Sequence, residues 1–488
     1  MQRTLVPQTH TPTESGAPTQ VRLDDQRGVV STPSDVAAFM ASLIPVHDAE
    51  VYRVLDPAAG AGILACSAAR ELVRRHAKRI QVQAYEINPR LARMAIDSLR
   101  EVRGLVAEDS TDFAYQVHVM NFFQSGTKDP ILDSHGPPRF DVVILNPPYY
   151  KVGKETRSRF GLHTASVSHT NVYTLFLTEA LRVTSEPGYV IAITPRSWFS
   201  GAYFRRFRGD ILAHADLTRI HSFIRRDEAF REEGVLQETT IFVLEKRANP
   251  VRPDVLVSTS WGRADLTNAR TFVVPWSRLS PRGSDGVIRI PETLGQLDAL
   301  RSLDSAERRL GDLGLEVSTG PVVGFRSRRL LTNTSDPPNT VPLVWSSHVT
   351  LDGFRWPGTP QPKHPSHIRV ARDSRLYVGS DEDVVLVRRF SAKEDARRVI
   401  ACHVRGGELG GPFAVENHLN VIRGFRGSKG TQVAAMLSRY LNSEQVDDWF
   451  RAVSGTTQIN ARDLRDLPVR IPGMAPHLRN ASVISDWS

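Results

Sequence analysis

The sequence predicts an α/β protein: a doubly wound, mostly parallel sheet in the first half and a separate α/β domain in the second. From Val51 onward, runs of β-branched and apolar residues alternate with stretches of helical apolar spacing. The strand runs are rich in β-branched residues, as the strands of such sheets are. Beyond about residue 250 the regular alternation stops. Alternating β and α elements close into a parallel sheet, and a break in that pattern marks a second domain.

The elements follow in order. Residues 1–24 are rich in Thr, Pro and Gln, lack a secretory apolar core, and read as a flexible tail. VYRVLDP (51–57) reads as a buried strand and residues 61–77 as a helix. QVQAYEI (81–87) is a second strand, followed by a helix from Pro89, since proline suits a first helical turn. YQVHVM (115–120) and FDVVIL (140–145) are the third and fourth strands. A helix over 172–183, the strand GYVIAIT (188–194), a helix over 202–213 and the strands LTRIHSF (217–223) and TTIFVLEK (239–246) complete the first half. Asn249-Pro250 marks the joint. The expected domains are thus 25–248 and 249–488. In the second, VPLVW (341–345), DVVLVRRF (383–390) and HLNVIRGF (418–425) read as strands and 430–441 as a helix.

Composition narrows the function class. The 488 residues include 62 Lys and Arg against 53 Asp and Glu, a net charge of +9 that suits a polyanionic partner or a merely soluble basic protein. Two distant cysteines, Cys66 and Cys402, make neither a disulfide framework nor a zinc-finger pattern, which fits a reducing compartment. No apolar run is long enough to span a membrane. The second half carries arginines at 326, 328, 329, 388, 389, 397 and 398. Arginine suits phosphates and guanine edges, and equally a solvated charged face.

Open α/β sheets bind ligands beyond the carboxyl ends of their strands. Four such ends carry polar or small residues: Asp56-Pro57-Ala58-Ala59-Gly60-Ala61-Gly62, Glu86-Ile87-Asn88, Asn121-Phe122-Phe123 and Asn146-Pro147-Pro148-Tyr149. The small residues of the first let a ligand approach the backbone beside a helix N-terminus. The stretch has neither the GxGxxG spacing nor a Walker lysine, and Asp56 disfavours a phosphate. A tight β–α turn would also explain the glycines. Glu86 stands where an acid accepts hydrogen bonds from ribose hydroxyls. Asn121 has the donor and acceptor to meet an adenine edge and Phe122 a ring to stack on it; a capping Asn beside a core Phe is the plainer reading.

The fourth end poses a sharper problem. An exocyclic amino group on a base is a poor nucleophile, because its lone pair is delocalised into the ring. Two acceptors facing its N–H bonds favour a pyramidal nitrogen with an available lone pair. The Asn146 side-chain oxygen and the Pro147 carbonyl suit that task, and the two prolines fix their direction. Tyr149 offers a face for stacking the base and for a cationic methyl donor. Such a displacement requires no metal and no side-chain nucleophile.

DPAAGAG, the acidic strand end at Glu86 and then Asn146-Pro147-Pro148-Tyr149 together resemble the S-adenosylmethionine-dependent amino-methyltransferases, and most closely the gamma class of DNA adenine-N6 methyltransferases of restriction–modification systems. The likeness covers about residues 27–247 and extends more weakly into the second half. It implies a Rossmann-like methyltransferase domain followed by a DNA target-recognition domain. Carried over, Arg27-Gly28-Val29-Val30-Ser31-Thr32-Pro33 resembles the N-terminal cofactor motif and brings Thr32 near the methionine carboxylate. Asp56, Pro57, Ala58 and Gly60 would flank the methionine part, Glu86 and Ile87 the ribose, and Asn121 and Phe122 the adenine of the cofactor. Asn121 departs from the usual Asp of the family. Asn146, Pro147, Pro148 and Tyr149 would form the catalytic motif, and Phe230 would pack on the flipped target adenine. Ser454 to Leu464 resembles the closing segment of such recognition domains.

The expected activity is sequence-specific methyl transfer from S-adenosylmethionine to N6 of a flipped adenine in duplex DNA. The expected setting is a bacterial-type cytoplasm, associated with the nucleoid, with a separately acting cognate restriction endonuclease. Related corners serve enzymes acting on cytosine N4, on RNA and on protein glutamine. A bifunctional restriction enzyme is disfavoured, since no Glu-x-Lys carboxylate cluster stands out.

Overall fold

A computed structural model describes residues 31–45, 49–106, 111–127, 139–153, 171–225, 238–246, 251–281, 286–358, 364–370, 377–378, 381–391, 394–425, 429–454 and 457–470. The expected tail, 1–24, lies outside them. The chain divides into two compact units, 1–290 and 291–488.

The first unit is built on nine strands: β1 (Tyr52–Asp56), β2 (Arg79–Tyr85), β3 (Asp112–His118), β4 (Phe140–Leu145), β5 (Thr184–Pro195), β6 (Ala215–Phe223), β7 (Thr239–Lys246), β8 (Val255–Ser260) and β9 (Arg270–Val274). Their order is 3-2-1-4-5-7-6-8-9. Strands β3, β2, β1, β4 and β5 run parallel, as the alternation of strands and helices predicts. Strand β7 inserts antiparallel between β5 and β6. The strand order reverses direction at β1 and β4, so the crevice beyond their carboxyl ends is the topological switch point.

Helices α1 (Ser34–Ser42), α2 (Ile63–Arg74) and α3 (Pro89–Val106) cover this half of the sheet. Val36, Ala37, Met40 and Ala41 of α1 join Leu64, Ala65, Ala68 and Leu72 of α2 over Val54, Ile80 and Val82. The alanines let the helices approach closely. Helix α4 (Val172–Val183) precedes β5, and α5 (Arg205–His214) precedes β6.

Several boundaries differ from expectation. Helix α2 starts at Ile63, not residue 61, because Gly60 and Gly62 both have positive φ. Strand β3 runs over 112–118 instead of 115–120. Helix α1 was not foreseen, being a short apolar run without a polar cap. The expected boundary at 248/249 also moves. Strand β8 pairs in parallel with β6 and β9 antiparallel with β8, so residues past 249 complete the first unit. Asn249-Pro250 itself lies outside the described residues, and the strands on either side of it, β7 and β8, belong to one sheet.

In the second unit, Glu316–Thr319, Leu419–Arg423, Val384–Arg388 and Ala401–Val404 form an antiparallel sheet in that order. Helices Leu294–Leu303, Gly430–Leu441 and Glu444–Val453 pack around one of its faces through Leu300, Leu437, Trp449 and Phe450. Its other face shares a core with Val344 and Phe413 of a second sheet. Three of the expected arginines are tied into this fabric: Arg398 is buried and donates to the Ser391 carbonyl, Arg388 donates to the Ser346 carbonyl, and Arg389 to the Asn417 carbonyl. The Ser454–Leu464 segment is also held from within: Ile459 donates its N–H to the Arg389 carbonyl, and Asn420 Nδ2 donates to the Ile459 carbonyl. Among the described residues no helix is long and apolar enough to cross a membrane.

Candidate active site

Asp56 closes β1 and is fully buried. Its Oδ1 accepts the Ala58 N–H at 3.3 Å, whereas Oδ2 has no hydrogen-bond partner among the described residues. Burial, reinforced by the charge of Glu86, pushes the carboxyl up to about 7. A buried carboxylate with an unsatisfied oxygen is costly unless a donor or cation completes it.

The turn after Asp56 shows two kinds of glycine. Gly62 has φ +82°, and a Cβ there would lie 3.0 Å from both Cα and Cβ of Ala95 on α3. It is needed for helix packing. Gly60 has φ +54°, yet a Cβ there would meet nothing within 4 Å. It opens the turn on a side where a ligand can reach the backbone. Pro57 is buried and Ala58 half-buried in the same turn. Glu86 ties this turn to the next strand end: Oε2 accepts the Gly60 N–H at 2.9 Å and Oε1 the Asn88 N–H at 2.8 Å. Each oxygen keeps a second lone pair for a hydroxyl donor. Ile87 beside it is half exposed, at 50%.

At the end of β3, Asn121 is buried and its Oδ1 accepts the Phe123 N–H at 3.2 Å, so it caps the following 3₁₀ turn (Phe122–Thr127). Phe122 is buried among Tyr85, Phe123 and Phe176, with ring centroids 5.2, 5.8 and 6.4 Å away. An aromatic wall thus lines the β2 and β3 ends.

At the β4 end, Asn146 is gripped from both sides. Its Nδ2 donates to Thr32 Oγ1 at 3.0 Å, and its Oδ1 accepts from the Tyr149 hydroxyl at 2.6 Å. The Tyr149 hydroxyl also lies 3.0 Å from the Ile193 carbonyl on β5. A phenol carries one proton. When it goes to Ile193, the Asn146 oxygen is released for another donor. Burial and the neighbouring Tyr173 hold the Tyr149 phenol well above its usual range, so it stays neutral. The Tyr149 ring meets Tyr173 of α4 edge-on at 6.3 Å. Pro147 is buried and Pro148 half-buried.

Thr32, Asn146 and Tyr149 are therefore brought into one hydrogen-bonded set. Asp56, Gly60 and Glu86 form a second set, and Asn121 and Phe122 belong to the aromatic wall. Phe230 and Arg27 to Val30 lie outside the described residues. The contribution of Ile193 was missed from sequence: its carbonyl sits mid-strand, and only the β4–β5 register, pairing Ile144 with Ile191 and Leu145 with Ala192, brings it beside the corner.

Three comparisons bear on this geometry. A model of the Eco57I restriction-modification methylase family matches residues 79–230. The chain is 30% identical over 448 residues to the Type II methyltransferase M.PstI of Providencia stuartii, covering 91% of this chain and 87% of the relative. It is likewise 30% identical over 446 residues to the Type II methyltransferase M.BsuBI of Bacillus subtilis, covering 90% and 87%. Among solved structures, a nuclease-deletion mutant of the Type ISP restriction-modification enzyme LlaGI, in complex with a DNA substrate mimic, overlaps 90% of this chain and 53% of that chain with a TM-score of 0.50 and 10% identity, a likeness of fold alone.

Proposed function

The chain belongs to the Type II restriction–modification DNA methyltransferases, and from that premise we propose that it methylates N6 of an adenine extruded from duplex DNA, with S-adenosylmethionine as donor. The carrying observation is the Asn146 carboxamide, held at its nitrogen by Thr32 and presented at its oxygen beside Tyr149. That oxygen and the Pro147 carbonyl accept the two N–H bonds of the target amine and leave its lone pair free to attack. Tyr149 stacks on the extruded base and Phe230 covers it, recovering part of the few kcal/mol that extrusion costs.

The residues present fit the donor. Asp56 supplies an unsatisfied buried carboxylate oxygen, a partner suited to an amino or sulfonium cation. Gly60 and its neighbours Pro57 and Ala58 leave open backbone beside it. Thr32 stands ready for the methionine carboxylate, Glu86 and Ile87 for the ribose, and Asn121 and Phe122 for the adenine ring. When bound, S-adenosylmethionine supplies an electrophilic methyl group. The second unit, 291–488, is the proposed target-recognition domain. A separately acting restriction endonuclease is the proposed partner, and the cytoplasm with its nucleoid DNA the proposed setting.

Methyl transfer from labelled S-adenosylmethionine to unmethylated duplex DNA, with nucleoside analysis, tests the reading. Label in N6-methyladenine from the wild type, and none from Asn146→Ala, is expected. Label in cytosine overturns the target base, and label only in RNA or protein overturns the substrate.

A further inference from the structure

We propose that the turn after β5 is a DNA-backbone lip, in which Tyr203, Arg205 and Arg206 grip the sugar–phosphate strand beside the extruded nucleotide. The inference rests on the duplex substrate proposed above and adds residues that the catalytic set does not contain.

The turn adjoins the catalytic corner. It begins where β5, the parallel neighbour of β4, ends. Phe204 in the turn is buried, with its ring 6.0 Å from that of Tyr173, which in turn meets Tyr149. One residue before Phe204, Tyr203 is 86% exposed. One and two residues after it, Arg205 and Arg206 are exposed on the first turn of α5.

The turn is also built to hold its shape. Arg208 is 1% exposed, and its guanidinium donates to the carbonyls of Trp198 and Gly201 at 2.9 Å each and of Gly286 at 2.8 Å. The Gly201 N–H returns to the Ser197 carbonyl, and a Cβ at Gly201 would lie 2.5 Å from that oxygen. Phe199 accepts the Ile288 N–H through its carbonyl at 2.8 Å. A buried arginine spent on three carbonyls fixes the backbone from which Tyr203 projects. Preorganisation of this kind lowers the cost of binding.

The chemistry selects the partner. A base leaving its stack draws its phosphates to the pocket mouth. Guanidinium groups pair with phosphate oxygens in forked geometry, and a tyrosine packs its ring on sugar while its hydroxyl reaches phosphate. One exposed acid, Asp210, lies a turn further along α5, and Arg206 makes no ion pair among the described residues.

Fluorescence anisotropy of the full-length enzyme with a fluorescein-labelled unmethylated duplex, across a salt series, tests the lip. Arg205→Ala/Arg206→Ala is expected to weaken binding severalfold and to lower the slope of log affinity against log salt by about 2, roughly 0.9 per lost phosphate contact. Arg205→Lys/Arg206→Lys restores most of the slope. Tyr203→Ala weakens binding with the slope unchanged, since no charge is lost. Melting temperature and S-adenosylmethionine binding stay at wild-type values in all three. A wild-type enzyme that binds no duplex overturns the proposed function and the lip together. A wild type that binds, beside a double alanine variant with equal affinity and slope, overturns the lip alone and makes these arginines a solvated face.

Discussion

Asp56 is a carboxylate whose ionised form the fold disfavours, and this gives the site a pH dependence. Its pKa rises from 3.8 to about 7, chiefly through burial. At ~1.4 kcal/mol per unit, the ionised native state is less stable by ~4 kcal/mol. The sign follows from the raised value. Below pH ~4 both folded and unfolded chains hold the proton and no penalty exists; the loss grows between pH ~4 and ~7 and is complete above it. A cationic ligand needs the opposite state, so cofactor affinity climbs as pH passes 7. Asp56→Asn is therefore expected to melt higher than wild type at pH 8 without ligand, to match it more nearly at pH 5, and to bind S-adenosylmethionine more weakly at pH 8. Thermal unfolding and equilibrium dialysis at both pH values check it; equal melting temperatures at pH 8 would mean that Asp56 is not burying charge. The place of Asp56 at a strand end was legible in the sequence. Its loss of solvent was not, because the turn that folds back over it is local in sequence but closes only through contacts such as that of Gly60 with Glu86, 26 residues on.

At the scale of elements, the two glycines of the β1–α2 turn separate fold from function. Gly62→Ala strains a φ of +82° and drives a methyl group against the Ala95 backbone. A cost of about 1–3 kcal/mol for the conformation alone, with more for the displaced helix, should appear as a lower urea midpoint. Gly60→Ala strains φ at +54° but meets no atom within 4 Å. It should cost less stability and more cofactor affinity, its methyl group projecting where the ligand is expected. Equal losses from the two changes would argue that the turn is shaped by packing only. The same contrast explains what could be read in advance. The apolar runs of β4, β7 and the second half of β5 were visible because these stretches are buried on both faces, whereas β2 was visible by its alternation of buried and exposed residues. Helix α1 was invisible because nine residues make too little helical pattern to stand out; it is held by tertiary contacts, including the pair between Asp35 and Arg263 at 2.8 Å. Strands β8 and β9 were missed for a related reason. Arg270–Val274 is mostly exposed, as an edge strand is, and lacks the continuous apolar run of the inner strands.

For the whole molecule, those missed strands decide where the first unit ends. A chain stopped at residue 248 loses β8, so β6 becomes an open edge with Ile220 and Phe223 stripped of cover. His221 would lose both ring partners, Ser258 Oγ at 2.9 Å and Ser260 Oγ at 3.2 Å. Burial holds that imidazole at about 3, neutral at every ordinary pH, and a neutral buried ring without partners is destabilising. The buried Asp216 would lose its ion pair with Arg252 at 2.7 Å, and α1 would lose Arg263. A chain stopped at 290 keeps all of these. It should express in soluble form, unfold cooperatively and bind S-adenosylmethionine, while failing to methylate DNA at a defined site because the second unit is gone. The 248 chain should aggregate or melt roughly 6–12 °C lower, the shift that about 3 kcal/mol produces in a unit of this size. Circular dichroism melts and cofactor binding on the two chains check it. A 248 chain as stable as the 290 chain would make β8 and β9 an appendage. The expected gap instead makes them the closing edge of the first unit's sheet, with the second unit starting only after it.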